Sequence, residues 1–215
     1  MDASLAEQQR VLASDWGGGQ SPFGTSWSKF MMWIFIISDA LTFAALLIVY
    51  GFLRRIAPVW PEQTAVFNMM LITFMTFVLI SSSAVMAAGV SAARAGDPKS
   101  AVRFLVMTIV GGFIFLGCQV FEWHHFIGEG ARLTHNPWGV PQFAATFFII
   151  TGFHGFHVLS GVTILAIVAI RAAMGKYSAD QVENAALYWH FVDVVWVFVS
   201  AASIRAKPRI AELLG

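Results

Sequence analysis

Five long, mostly apolar runs, separated by short polar breaks, dominate this chain of 215 residues. A bilayer core about 30 Å thick takes roughly 20 apolar residues per helix, and each run is long enough. Only helices or closed barrels satisfy their backbone hydrogen bonds in hydrocarbon. The runs show no alternation of period two, which excludes the barrel. Composition agrees: 12% of residues are charged, against about 25% in a soluble domain, and mean hydropathy is +0.71. The expected fold class is therefore an all-α integral membrane protein, a five-transmembrane-helix bundle with its termini on opposite sides.

The breaks place the spans at about 28–53, 64–93, 101–127, 142–170 and 185–204, so that 28–215 is the bundle. Residues 1–27 are a polar tail; Asp2, Glu7, Arg10 and Asp15 leave it without the apolar centre of a cleavable signal peptide. Arg54 and Arg55 end the first span, "RAGDPKS" the second, the loop "GEGARLTHNPWGVP" the third and Arg171 the fourth. Lysine and arginine set orientation, but seven on one side against six on the other leave it open. A net charge of +1 gives no reason to expect a nucleic-acid partner, and the single cysteine, Cys118, cannot form an intrachain disulfide.

The informative residues are the ionisable ones inside the spans. Such groups are costly in hydrocarbon and normally face the bundle interior with a partner or a function. Asp39 lies about eleven residues into the first span, near the midplane at about 1.5 Å per residue. Glu122, His124 and His125 stand toward the end of the third, His154 and His157 in the fourth, and His190 and Asp193 in the fifth. Residues three apart share a helix face, so Glu122–His125, His154–His157 and His190–Asp193 each offer a two-residue polar site.

Spacing alone leaves three readings open. The pairs are metal or haem ligands, since Glu-x-x-His on a helix is an element of di-iron bundles. Alternatively they form a proton path or proton-collecting cluster, or they are hydrogen-bond glue between helices and subunits. The last two are compatible. Gly152, Gly155 and Gly161 are expected to let a neighbouring helix approach. Ser81–Ser83 are expected to bond back to carbonyls one turn earlier, with no base beside them. Arg171, directly after an apolar run, suits a lipid phosphate or simple snorkelling to the interface.

"YWHFVDVVWVF" (188–198) and "ATFFIITGFHGFHVLSGVTIL" (145–165) resemble the last two membrane helices of subunit III of haem-copper cytochrome c oxidases. "FIISDALTFAALLIVYGF" (35–52) resembles the helix that in many members carries Ser-Glu where this chain has Ser38-Asp39. "GCQVFEWHHFI" (117–127) is similar to the helix with the family's Gln-x-x-Glu pattern, through Gln119 and Glu122. The resemblance runs from about residue 28 to 204. It implies a subunit without catalytic residues, haem or copper; those belong to partner subunits I and II, with a small subunit IV and a respiratory supercomplex as further candidates. It also implies bound phospholipid, support of proton uptake and protection of subunit I during turnover. The location implied is the bacterial inner membrane, N-terminus cytoplasmic and C-terminus outside.

Mitochondrial-type members have seven helices; the five-helix pattern resembles bacterial forms, including quinol oxidases, and a relative that accompanies nitric oxide reductases. The resemblance makes Asp39, Glu122, His125, His154, His157, His190 and Asp193 a buried polar or proton-supporting cluster, with His190 and Asp193 locking helices three to five. The alternatives from other classes are a self-contained membrane metalloenzyme built on the three pairs, and a transporter, which would show internal repeats and broken helices.

Overall fold

The computed structural model describes residues 25–62, 66–176 and 178–204. Among them are five α-helices and no strand: α1 (Trp27–Ile56), α2 (Met69–Arg94), α3 (Pro98–Gly128), α4 (Pro141–Ala173) and α5 (Ala179–Ile204). All five are long and apolar enough to cross a membrane. The tail before Thr25 and the basic residues after Ile204 lie outside the described residues.

Helix ends depart from the expected spans where polar side chains, invisible to hydropathy, cap the backbone. α2 starts at Met69 because the Asn68 carboxamide oxygen accepts the Leu71 N–H at 3.2 Å. α3 starts at Pro98, with Asp97 accepting the Ser100 N–H at 3.1 Å and proline at the first position, where no N–H is needed. The Ser100 hydroxyl and amide hold the Asp97 carboxyl below its usual range. α5 begins six residues before its expected span, Ser178 accepting the Gln181 N–H at 3.3 Å, so the polar "ADQVEN" is helical. α2 and α4 stop where Gly96 and Gly175 turn left-handed, at φ of 75° and 70°.

α2, α3, α4 and α5 form a closed ring, each packed on the next and α5 returning onto α2. α1 lies outside it, against α4 and α5. In α1 only 11% of the most apolar stretch is buried, against 56% in α5, so α1 is the peripheral helix and α5 a central one. The ring closes around Trp189 of α5, which is fully buried and donates its indole N–H to Ser82 Oγ of α2 at 3.1 Å. A Cβ at Gly112 of α3 would lie 2.7 Å from that indole, and one at Gly161 of α4 3.0 Å from it. The absence of a side chain at these two positions is what lets three helices meet one tryptophan.

The two ends of the bundle differ. At one, Glu183 of α5 pairs with Lys29 of α1 and, at 2.7 Å, with Arg94 of α2. At the other, Trp60, Phe67, Phe126, Trp138, Phe143 and Phe147 form an aromatic cluster, Phe126 stacked on Trp138 with centroids 5.0 Å apart. There Arg54 of α1 donates to the Ala202 carbonyl of α5 at 3.3 Å.

Candidate functional site

Between α1 and α4, Asp39 Oδ2 and His157 Nε2 are 3.1 Å apart, both side chains nearly buried at 11% and 8% exposure. The alignment is that of an ion pair rather than a straight hydrogen bond. His157 Nδ1 lies 2.7 Å from the Phe153 carbonyl. A carbonyl only accepts, so Nδ1 carries hydrogen. The contact on the other nitrogen is then attractive only when the pair holds a further proton: imidazolium beside carboxylate, or carboxylic acid beside neutral imidazole. Phe43 of α1 and Phe153 seal the imidazole, with centroids 5.2 and 4.5 Å away. From α5, Tyr188 donates to the His157 carbonyl at 3.3 Å and its hydroxyl meets that of Ser160 at 2.6 Å.

A second polar contact joins α2 and α5: Ser83 Oγ lies 2.5 Å from His190 Nδ1. Asp193 is 5% exposed; neither of its oxygens makes a hydrogen bond of good geometry among the described residues, although the Ser83 hydroxyl stands close to the carboxyl. His190 and Asp193 share a face of α5 as their spacing requires, but the imidazole pairs with the serine of the neighbouring helix instead. The expectation that no base lies beside Ser81–Ser83 fails at Ser83 for the same reason. Ser82 does bond back to the Leu79 carbonyl, at 2.7 Å. Among the described residues no carboxylate is hydrogen-bonded to the His190 imidazole, the third group that orients the base in a nucleophilic triad.

The other expected residues disperse. His154 is fully buried with no hydrogen bond on either ring nitrogen among the described residues; it packs on Trp196 at 5.0 Å and edge-on to Phe115 at 5.5 Å. Glu122 of α3 is buried, lining one cavity with Ile72, Thr151 and Ser200 and another with Asn68, Leu71 and His125. His125 is exposed, 3.8 Å from Glu129. The cluster expected from spacing is therefore not one hydrogen-bonded network: Asp39 meets His157 between α1 and α4, Ser83 meets His190 between α2 and α5, and neither ring nitrogen of His154 nor Glu122 Oε1 is hydrogen-bonded among the described residues. Among the described residues no three histidine, cysteine, aspartate or glutamate side chains converge as a ligand set. Arg171 is exposed at the end of α4.

Several structural contacts had no reading in the sequence. Gln119 of α3 donates to the Thr151 carbonyl of α4 at 2.6 Å, and Trp123 to the Thr151 hydroxyl at 3.1 Å. A Cβ at Gly155 would lie 2.7 Å from the Gln119 amide, so the Gln-x-x-Glu segment and the glycine-rich segment fit each other. Glu183 was overlooked because it precedes the apolar run; its signal was a lone acid inside a segment that caps as a helix.

Five membrane-crossing helices with polar groups joined across their seams define a multi-pass membrane protein. A profile of the family described as Cytochrome c oxidase subunit III matches residues 11–203. The chain belongs to that family, and with it to the non-catalytic subunits of haem-copper oxidases. It is similar to cytochrome c oxidase subunit 3 of Synechocystis sp., 37% identical over 76% of this chain and 69% of the relative. A probable cytochrome c oxidase subunit 3 of Nocardia farcinica is 33% identical over 76% and 80%. Quinol oxidase subunit 3 of Bacillus spizizenii is 31% identical over 78% and 81%.

Proposed function

We propose that this chain docks on the catalytic subunit I of a bacterial terminal oxidase, beside subunit II, and sustains proton uptake there while itself holding no haem or copper. In this reading the Lys29–Glu183–Arg94 end faces the cytoplasm, the C-terminus lies outside, and Arg171 meets a lipid phosphate at the cytoplasmic surface. Asp39, His157 and the buried polar groups of α3 and α5 supply packing and a proton environment rather than a cofactor site. The observation that carries the reading is the Asp39–His157 pair, which needs a proton for its contact to be attractive and lies about 18 Å along α1 from Trp27. The metalloenzyme alternative needs the Glu122/His125, His154/His157 and His190/Asp193 pairs to converge on one ion, whereas His157 is engaged by Asp39 and His190 by Ser83. Whether the complex oxidises cytochrome c or quinol is a property of its partners, and the copper ligands of the co-purifying subunit II decide it.

The test is Asp39→Asn in the assembled oxidase. Initial oxygen consumption stays near the wild-type rate, and activity is lost faster over successive turnovers. A wild-type lifetime removes the proton-supporting role. Abolished initial activity with the subunit still bound overturns the non-catalytic reading.

A further inference from the structure

Between α1 and α2 the outside of α5 stays open, because both helices pack on α5 without packing on each other. The open strip carries Val194, 54% exposed, with Leu187 and His190 half-buried beside it. His190 lies on the α2 side of the strip, where its Nδ1 meets Ser83. It is the twelfth residue of α5, a helix of 26 residues, and so stands near mid-height at about 1.5 Å per residue.

The second ring nitrogen sets this residue apart. Nε2 of His190 has no hydrogen-bond partner among the described residues. In a neutral imidazole that nitrogen is either a donor or an acceptor, and neither function is met. The residues outside the description flank the ends of α5, at 177 and from 205 onward, about 20 Å along the helix from His190. An irregular segment does not cross that much hydrocarbon on the lipid side to reach it. Other polar side chains on exposed positions of the spans supply their own partner. Ser38, Thr42 and Thr163 each donate to a carbonyl one turn back on their own helix, at 2.8, 3.2 and 2.9 Å. The α2 flank of the strip is also low beside His190. Its exposed positions there are Ala84 and Ala87, whereas Phe77 and Ile80, nearer the aromatic end, are large. Small residues let a further helix come close, and a polar side chain among them gives it a point of attachment.

We propose that this strip receives one membrane helix of another oxidase subunit, which sets a hydroxyl or carboxamide at mid-depth against His190 Nε2. Either group both donates and accepts, so it serves both tautomers of the imidazole. Lipid does not replace it: in a core about 30 Å thick the headgroups stand about 15 Å from mid-depth, and acyl chains make no hydrogen bond. The inference rests on the reading that the chain docks within an oxidase. To that reading it adds the face that docks and the atom that anchors it.

The experiment uses the intact oxidase with a photo-reactive phenylalanine analogue at Ile80 or Val194, which border the strip, or at Val110 of α3, exposed on a helix that does not pack on α5. Cross-linked peptides are identified by mass spectrometry. Ile80 and Val194 are expected to label one membrane helix of another subunit, with a hydroxyl or carboxamide side chain at the labelled depth. A double-mutant cycle of His190→Ala with alanine at that partner residue then gives about threefold coupling in subunit retention, the effect of one interhelical hydrogen bond. Ala84→Leu fills the low flank at a position exposed in this chain. It leaves the fold intact and lowers retention at least tenfold. Labelling of lipid alone, or of a second copy of this chain, from both positions overturns the proposal. So do a partner labelled from Val110 only, a cycle without coupling, and wild-type retention of Ala84→Leu. Failure of the docking reading itself looks different, since wild type would then purify without any other oxidase subunit.

Discussion

Asp39 and Asp193 are both carboxylates carried deep into membrane-spanning helices, and the bundle treats them differently. Asp39 meets His157 of α4 at 3.1 Å. Asp193 is buried with both oxygens unbonded among the described residues, although His190 stands three positions away on the same helix. His190 is engaged by Ser83 of α2 instead. The difference teaches that spacing along one helix decides which residues share a face, while the neighbouring helix decides which of them acquires a partner. A carboxyl without a partner in hydrocarbon is tolerated when neutral or when another chain supplies a donor.

The largest effect belongs to the paired carboxylate. His157→Ala leaves Asp39 buried without its partner and costs about 3–5 kcal/mol, measured as earlier thermal release of the subunit from the oxidase. Asp39→Ala costs a similar amount, and the double variant little more than either single, because the two act as one interaction. Additive losses would mean the pair is not coupled and the contrast with Asp193 is empty.

A smaller effect is expected at the α2–α5 seam. A double-mutant cycle of Ser83→Ala and His190→Ala should return a coupling of about 0.6 kcal/mol, the average for interhelical hydrogen bonds in a bilayer. The same cycle with His190→Ala and Asp193→Ala should return almost none. Coupling in the second cycle but not the first would show that the imidazole uses its own helix after all.

The smallest effect is expected for Asp193→Asn, which keeps volume and removes only the ability to ionise. With no hydrogen bond of good geometry to lose among the described residues, it should shift release by less than about 0.5 kcal/mol. A loss of about 2 kcal/mol or more would sharpen the comparison in another direction: Ser83 or a donor from a partner subunit then holds the carboxyl.

Much of the fold was legible because hydrocarbon constrains a sequence along one dimension. Apolar length alone located α1 to within a few residues, and the motifs of α4 and α5 carried the family. The glycines of α4 were read as points of close approach, and Gly155 and Gly161 face Gln119 and Trp189 in that way. The helix starts were less legible, since Asn68, Asp97 and Ser178 act through single hydrogen bonds that leave hydropathy unchanged. The candidate site was legible as a set of residues and not as a set of contacts. His125 was grouped with Glu122 by its spacing, yet it is exposed while Glu122 is buried.

What the sequence by itself determined is therefore the number of spans, the ionisable residues that are costly inside them, and the family to which they belong. Each of these depends on composition and order along the chain. The tertiary structure alone decided that α1 stays outside the ring, that Asp39 reaches His157, that Ser83 takes His190, and that Glu183 holds two helices at one end. A helix offers the same face whatever stands opposite it. The rotation and height at which five such helices pack are set by the sum of many side-chain contacts, Trp189 between two glycines foremost among them. A spacing rule, which sees one helix at a time, has no access to that sum.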